Sequence, residues 1–435
     1  MINFMIISFI KSNKVFTFVK LLYYFNMTIF RSLRHYNYRL FFSGQAISLV
    51  GTWMQRVAIS WLVYRLTGSA FLLGLVTFLS LIPSLVLAPY AGSYVDRHNK
   101  YKILIITQVI LMLQAGALAL MIWFKVYDIF WIAALSLVQG LVNAFDVTAR
   151  QSLMVNLIDD KEDLPNAIAL NSSVFNAARL VGPALAGVIL STLGEDICFL
   201  INFLSFIAVL GCMVMMKLKL TAHAKSKENI WIDLKKGYDY LKASPDLASM
   251  ILMMAASSLL VIPFTTLLPV FAKDVFNGTA TTFSWFESAA GFGAFFGAIY
   301  MATLKVKQNL QKIVMVSGIL LAVSVVALAI SPSLILALIC TGLAALGLMA
   351  QTSSINTYLQ THADDVMRGR TLSYYIMAYQ GVLPLGSLLM GYLAHQFGTQ
   401  TVVAFEGIAG LLIVGAFVYN EKHRNEIRRN TISLT

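Results

Sequence analysis

The chain has 435 residues, 58% of them hydrophobic and only 12% charged, with a net charge of +12. An average soluble protein is roughly 45–50% apolar and about 25% charged, so the composition excludes an ordinary cytosolic enzyme and a disordered chain alike. One bilayer crossing takes about 20 apolar residues, and the apolar content suffices for about twelve helices of that length. The expected fold class is an all-α, multi-pass membrane protein.

Residues 1–30 begin with an apolar stretch, Met1 to Ile10, that precedes the first positive charges at Lys11 and Lys14. A secretory signal has the opposite order, and about ten apolar residues cannot cross a bilayer. The segment is expected to be a weakly ordered extension or to lie upstream of a start at Met27, with an interfacial helix as the alternative. Apolar runs bounded by charge, Gly, Pro or Asn then predict spans at 40–62, 69–92, 102–124, 129–149, 166–191 and 196–216, a six-helix half over 31–216. In the polar stretch 217–246, Ile230, Trp231, Leu234, Tyr238 and Leu241 recur at helical spacing, with Lys235, Lys236, Asp239 and Lys242 on other faces. That pattern predicts a cytoplasmic linker with an amphipathic helix lying on an anionic leaflet. Spans at 247–271, 283–304, 311–330, 333–355, 371–394 and 400–419 form a second half over 247–420, followed by a tail at 421–435. Only Ser331-Pro332-Ser333 separates the ninth span from the tenth, which calls for a tight turn.

Orientation follows from the basic residues. With both termini cytoplasmic, 27 of the 32 lysines and arginines fall on the cytoplasmic side, three (Arg65, Lys125, Lys273) outside and two (Arg56, Arg179) within spans. The positive charge is thereby accounted for without a nucleic-acid partner. Cys198, Cys212 and Cys340 sit in apolar runs without the spacing of a metal or redox site.

A repeat runs through the chain. Gly182, Gly187 and Gly194 recur as Gly386, Gly391 and Gly398 at a shift of 204, and Asp160 recurs as Asp364 at the same shift. Small residues are common wherever membrane helices pack closely, but a register that extends into a polar loop argues for duplication. Span five maps onto span eleven with unchanged orientation, so the halves form a parallel repeat and a substrate path is expected between them.

The loop after span two reads Gly92-Ser-Tyr-Val-Asp96-Arg97-His-Asn-Lys100, which resembles motif A of the major facilitator superfamily, with Asn99 for a glycine that serves a left-handed turn. Gly182-Pro183-Ala-Leu-Ala186-Gly187 is similar to the antiporter-associated motif C. Arg368-Gly369-Arg370 with the glycines of span eleven, Gly51-Thr-Trp53-Met-Gln55 in span one, and Ala149-Arg150-Gln151 after span four look like the branch that contains the enterobactin exporter. The resemblance covers residues 31 to 420 and implies the major facilitator fold of two pseudo-symmetric six-helix halves. It also implies a gate: Asp96 would meet the start of span eleven near Arg370 and Thr371, and Arg97 would pair with an acid of span four, for which Asp146 is available. The arginine that motif B carries before Gln139-Gly140 is replaced by Ser136.

Ionisable residues within spans cost roughly 2.5–3.5 kcal/mol each on insertion scales and default to function or pairing. Substrate or coupling contacts are therefore sought at Arg179, with Asn171 and Asn176 before it; at Arg56 beside Gln55; at Gln139 and Asn143; and at Glu287 and Glu406, both expected at a hydrated outer rim. The sequence has no Gly-Lys dipeptide for a phosphate loop and no His-Glu-x-x-His run, so an enzyme, a metal and a cofactor are not expected.

The function these readings imply is a secondary active transporter in the inner membrane, acting as a monomer. It is expected to export a siderophore or drug-like small molecule against protons by alternating access. An importer, and a non-transporting receptor or assembly factor on the same fold, are the alternatives.

Overall fold

The computed structural model describes residues 30–218, 230–304 and 308–432. The N-terminal extension, apart from Phe30, and the first part of the linker lie outside these residues. Six helices form the first half: α1 (Tyr36–Thr67), α2 (Ala70–Arg97), α3 (Lys100–Trp123), α4 (Ile129–Met154), α5 (Leu164–Thr192) and α6 (Glu195–Val214). A linker helix, Ile230–Ala243, leads to α7 (Pro245–Val275), α8 (Ala280–Ala302), α9 (Leu310–Ala329), α10 (Leu334–His362), α11 (Arg368–Phe397) and α12 (Thr399–Ile432). Eleven of these are long and apolar enough to cross a membrane; α8, with 23 residues, is less apolar because it carries Glu287 among glycines and serines. Several helices outrun the predicted spans: α1 reaches from Tyr36 to Thr67, α4 ends at Met154 and α10 at His362.

Helix starts are sealed by side chains. Ser69, Asn99, Asp128, Asn309 and Ser333 each accept a backbone N–H from the first turn of α2, α3, α4, α9 and α10, supplying the partner those orphan donors lack in lipid. Asn99 does this with φ of −71°. The left-handed turn expected there is absent, and the residue serves as an N-cap instead. The linker helix docks on the second half: Tyr374 donates to the Leu234 carbonyl at 3.0 Å, and the Tyr240 hydroxyl accepts from the Asp364 N–H at 3.1 Å. Leu241 is buried in the main core. The amphipathic face is spent on protein contacts as well as on any lipid surface.

The repeated glycines occupy equivalent places. Gly194 and Gly398 both have positive φ, 100° and 84°, and turn the chain from α5 into α6 and from α11 into α12. At the middle pair the two halves touch each other. A Cβ at Gly187 would lie 2.5 Å from Ser284 Cβ on α8, and one at Gly391 would lie 2.7 Å from the Ala70 carbonyl on α2. At the first pair the contact is within a half: Gly182 faces Trp53 on α1, and Gly386 faces the Ser258 and Leu259 carbonyls on α7. The halves therefore pack through α5 on α8 and α2 on α11, with Gly74 against the Ser387 carbonyl adding to the second contact. These approaches gather at one end of the bundle. At the other, which carries Arg97, Lys100, Arg150, Arg368 and Arg370 and is called the basic end below, Gly92 and Gly369 have open space around them.

Replacing Gly187 by Val forces the halves apart at their shared end, at a cost to the closed arrangement of roughly 1–3 kcal/mol. A single reporter cysteine at Thr401 in a cysteine-free background is expected to react faster with a polar thiol reagent in Gly187→Val. It should react at the wild-type rate in Gly415→Ala, where nothing lies within 4 Å.

Candidate functional site

Midway along the bundle, charged residues from both halves come together. Arg56 projects from α1 and Arg179 from α5, and both guanidinium carbons lie over the Trp53 indole, 5.1 and 5.8 Å from the ring centre. Glu287 on α8 acts electrostatically on both, and Tyr379 on α11 acts on Arg56. Arg56 keeps an exposed side chain although the charged and polar groups that act on it come from α5, α8 and α11. Such exposure, with neighbours drawn from both halves, points to a cavity between them, since an arginine is costly in lipid.

Local backbone features deliver these groups. Pro183 inside α5 leaves the Arg179 carbonyl without its intrahelical donor, and α8 approaches that carbonyl closely at Gly291. Met377–Gly381 forms a π-helical turn in α11, the kind of irregularity that concentrates at functional sites, and Tyr379 sits on it. Trp53, three residues before Arg56 on the same face, and Tyr379 were absent from the sequence-based candidates. The i, i+3 spacing of Trp53 and Arg56 was the signal for the first; the π turn left none.

The remaining candidates lie elsewhere. Gln55 is 1% exposed and locked inside the first half, donating to Gln114 Oε1 at 3.0 Å and accepting from Asn202 Nδ2 at 2.7 Å; it points away from the cavity. Asn176 donates to the Ser172 carbonyl of its own helix at 2.9 Å. Gln139, Asn143 and Asn171 are half-buried. Glu406 does not sit at a hydrated rim. It is 0% exposed, and neither carboxylate oxygen has a hydrogen-bond partner. One turn further along α12, Gly410 packs on Ala322 of α9 and Val261 at the break in α7.

The pair of Arg97 with Asp146 in the expected gate, which would lock the inner side when the protein faces outward, is not formed in this arrangement. Asp146 is 1% exposed and accepts from Thr107 Oγ1 at 2.9 Å and Gln108 Nε2 at 2.6 Å. It also pairs with Arg150, which in turn donates to Gln45. Its partner is thus the arginine one turn on in α4. Arg97 is exposed and makes no ion pair among the described residues, and Lys100 begins α3. The Asp96 side chain lies outside the described residues. Arg370 packs beside Gly237 of the linker helix and donates to Met367 Sδ at 3.3 Å.

At the end away from the basic face the halves are latched by polar contacts. The Tyr64 hydroxyl at the end of α1 donates to Asp274 after the break in α7, and Lys273 Nζ lies 5.2 Å over the Tyr64 ring. A cavity of about 560 Å³ opens beside this latch, lined among others by Tyr64, Asp274, His395, Thr399 and Gln400.

The profile of the transmembrane secretion effector family matches residues 27–434. The chain belongs to this family of the major facilitator superfamily. It is similar to the staphyloferrin A transporter of Staphylococcus aureus, 28% identical over 88% of this chain and 95% of the relative. It also resembles macrolide efflux protein A of Streptococcus pyogenes, 21% identical over 82% and 89%. Among solved structures, a bacterial homologue of the human lysosomal transporter spinster, inward-facing and occupied, superposes with a TM-score of 0.70 at 12% identity, covering 88% of this chain and 96% of that one. The protein is a multi-pass major facilitator transporter of a small molecule, related to siderophore and drug efflux pumps.

Replacing Tyr64 by Phe removes a hydrogen bond to a charged acceptor, worth about 1.5–3 kcal/mol, and leaves the ring under Lys273. The mutant is expected to shift toward an arrangement open at this end. Limited proteolysis in oriented vesicles should then cut the segment around Gly398 sooner than in the wild type, while thermal stability stays close to wild type.

Proposed function

We propose that this transporter is a proton-driven exporter of a siderophore or drug-like molecule, working by alternating access in the inner membrane with the basic end and both termini in the cytoplasm. The observation that carries the reading is the meeting of Arg56, Arg179, Glu287 and Tyr379 between the halves. A site made by both halves is the part a rocking motion exposes first to one side and then to the other. The charge bias supports a cytoplasmic basic end, and an arrangement latched at the far end would face the cytoplasm, as loading an exporter requires. The macrolide efflux relative supports outward transport, and the staphyloferrin A transporter supports a siderophore as substrate.

The coupling proton is assigned to Glu406. A buried carboxylate with no donor or cation to compensate it is costly, and among the described residues Glu406 is the fully buried span acid that has neither oxygen partnered. It stands apart from the arginines, so proton and substrate take separate sites joined through the movement of the halves.

Inverted vesicles, with the cytoplasmic face outward, should accumulate substrate when their lumen is acid and lose it on adding a protonophore. Glu406→Gln is expected to reduce this accumulation to background while substrate exchange without a gradient persists. Accumulation only in right-side-out vesicles would reverse the direction, and full gradient-driven accumulation by Glu406→Gln would overturn the assignment.

A further inference from the structure

The cavity holds an imbalance of charge that its own residues do not resolve. Two arginines of the first half face one acid of the second, and among the described residues none of the three is engaged in a hydrogen bond or direct ion pair. Each guanidinium carries five N–H donors in a planar fork suited to carboxylate or phosphate. Both forks lie over the same indole, so the two guanidiniums are no farther apart than the sum of their 5.1 and 5.8 Å distances from its centre. Pro183 and Gly291 bring α8 against the backbone at Arg179, which keeps Glu287 on the opposite wall in electrostatic range of both arginines without bonding to them.

We infer that the cavity binds a small organic anion bearing at least two acidic groups a few bonds apart, and that Glu287 is the built-in counter-charge which such an anion displaces. This names the substrate class of the exporter proposed above and rests on that reading for the direction of transport, though not for binding. The two acids of the ligand would each take one guanidinium, with the apolar stem against Trp53. Because the arginines are on one half and the competing carboxylate on the other, an anion seated on Arg56 and Arg179 removes an attraction between the halves, and an empty cavity restores it. Tyr379, on the π turn of α11, is the further polar group facing Arg56.

The test is binding to the full-length protein in lipid nanodiscs, by calorimetry, with acetate, succinate, citrate and the uncharged trimethyl ester of citrate as probes. Affinity is expected to rise by about tenfold or more from acetate to succinate, in line with the strength of hydrogen bonds to charged partners, and to be at least kept by citrate, while the ester should not bind. Arg56→Gln and Arg179→Gln should each abolish the gain from the second acid group. Glu287→Gln should bind citrate about tenfold tighter, since the internal competitor is gone; a misfolded variant cannot mimic a gain in affinity. Succinate and citrate binding no better than acetate, or Glu287→Gln binding citrate more weakly than wild type, would overturn the inference. Failed citrate binding with intact efflux from vesicles refutes the ligand class alone, whereas citrate binding with no gradient-driven movement of any candidate refutes the exporter reading and leaves the site standing.

Discussion

The hydrocarbon around a membrane helix offers no hydrogen-bond partner and no counter-ion, so each polar group has to be satisfied within the protein or kept at a watery boundary. The side-chain caps at the starts of α2, α3, α4, α9 and α10 meet this demand for the backbone. For side chains it produces dense interior networks, such as Asp146 with Thr107, Gln108 and Arg150, or Gln55 between Gln114 and Asn202. These networks hold the first half together as a rigid body. Arg56, Arg179, Glu287 and Glu406 stand out because they are the charges the networks leave over.

Rigid halves need a seam that can close and open, and glycine provides it. Gly187 on α5 and Gly391 on α11 let the partner half approach to backbone distance, and Gly74 and Gly291 do the same from the opposite side. Pseudo-symmetry makes the seam double: what α5 does to α8, α11 does to α2. The polar latch of Tyr64, Asp274 and Lys273 sits at one end of this seam, so a modest change in a few contacts can tip one half against the other. Packed interfaces of this kind are bistable rather than continuously deformable.

Much of this was legible in the sequence, and the part that was not has physical reasons. Hydropathy and the constant glycine shift carry the helices and the duplication, because span length and small-residue contacts are written directly in residue type. Direction of a side chain within a helix is written less clearly. Gln55 and Arg56 are neighbours, yet one turns into the half and the other into the cavity. Glu406 is near a helix end by count, which argued for hydration, but tight packing of α12 on α9 around Gly407 and Gly410 seals it. Asp146 was matched to Arg97 by resemblance, while the i, i+4 spacing to Arg150 places a nearer cation on the same helix. Asn99 stands where a glycine was expected and became a helix cap, a role that type of residue fills equally well.

Transport by this fold requires one half to rock as a unit on the other about the α2–α11 and α5–α8 seams. Pulsed dipolar spectroscopy in nanodiscs tests it most directly, with spin-label pairs at Thr67 and Thr399 across the latched end and at His98 and Asp365 across the basic end. Two distance populations are expected for each pair, changing in opposite senses, so that unlatching with Tyr64→Phe lengthens the first distance and shortens the second. Lengthening at one end with no change at the other would contradict it.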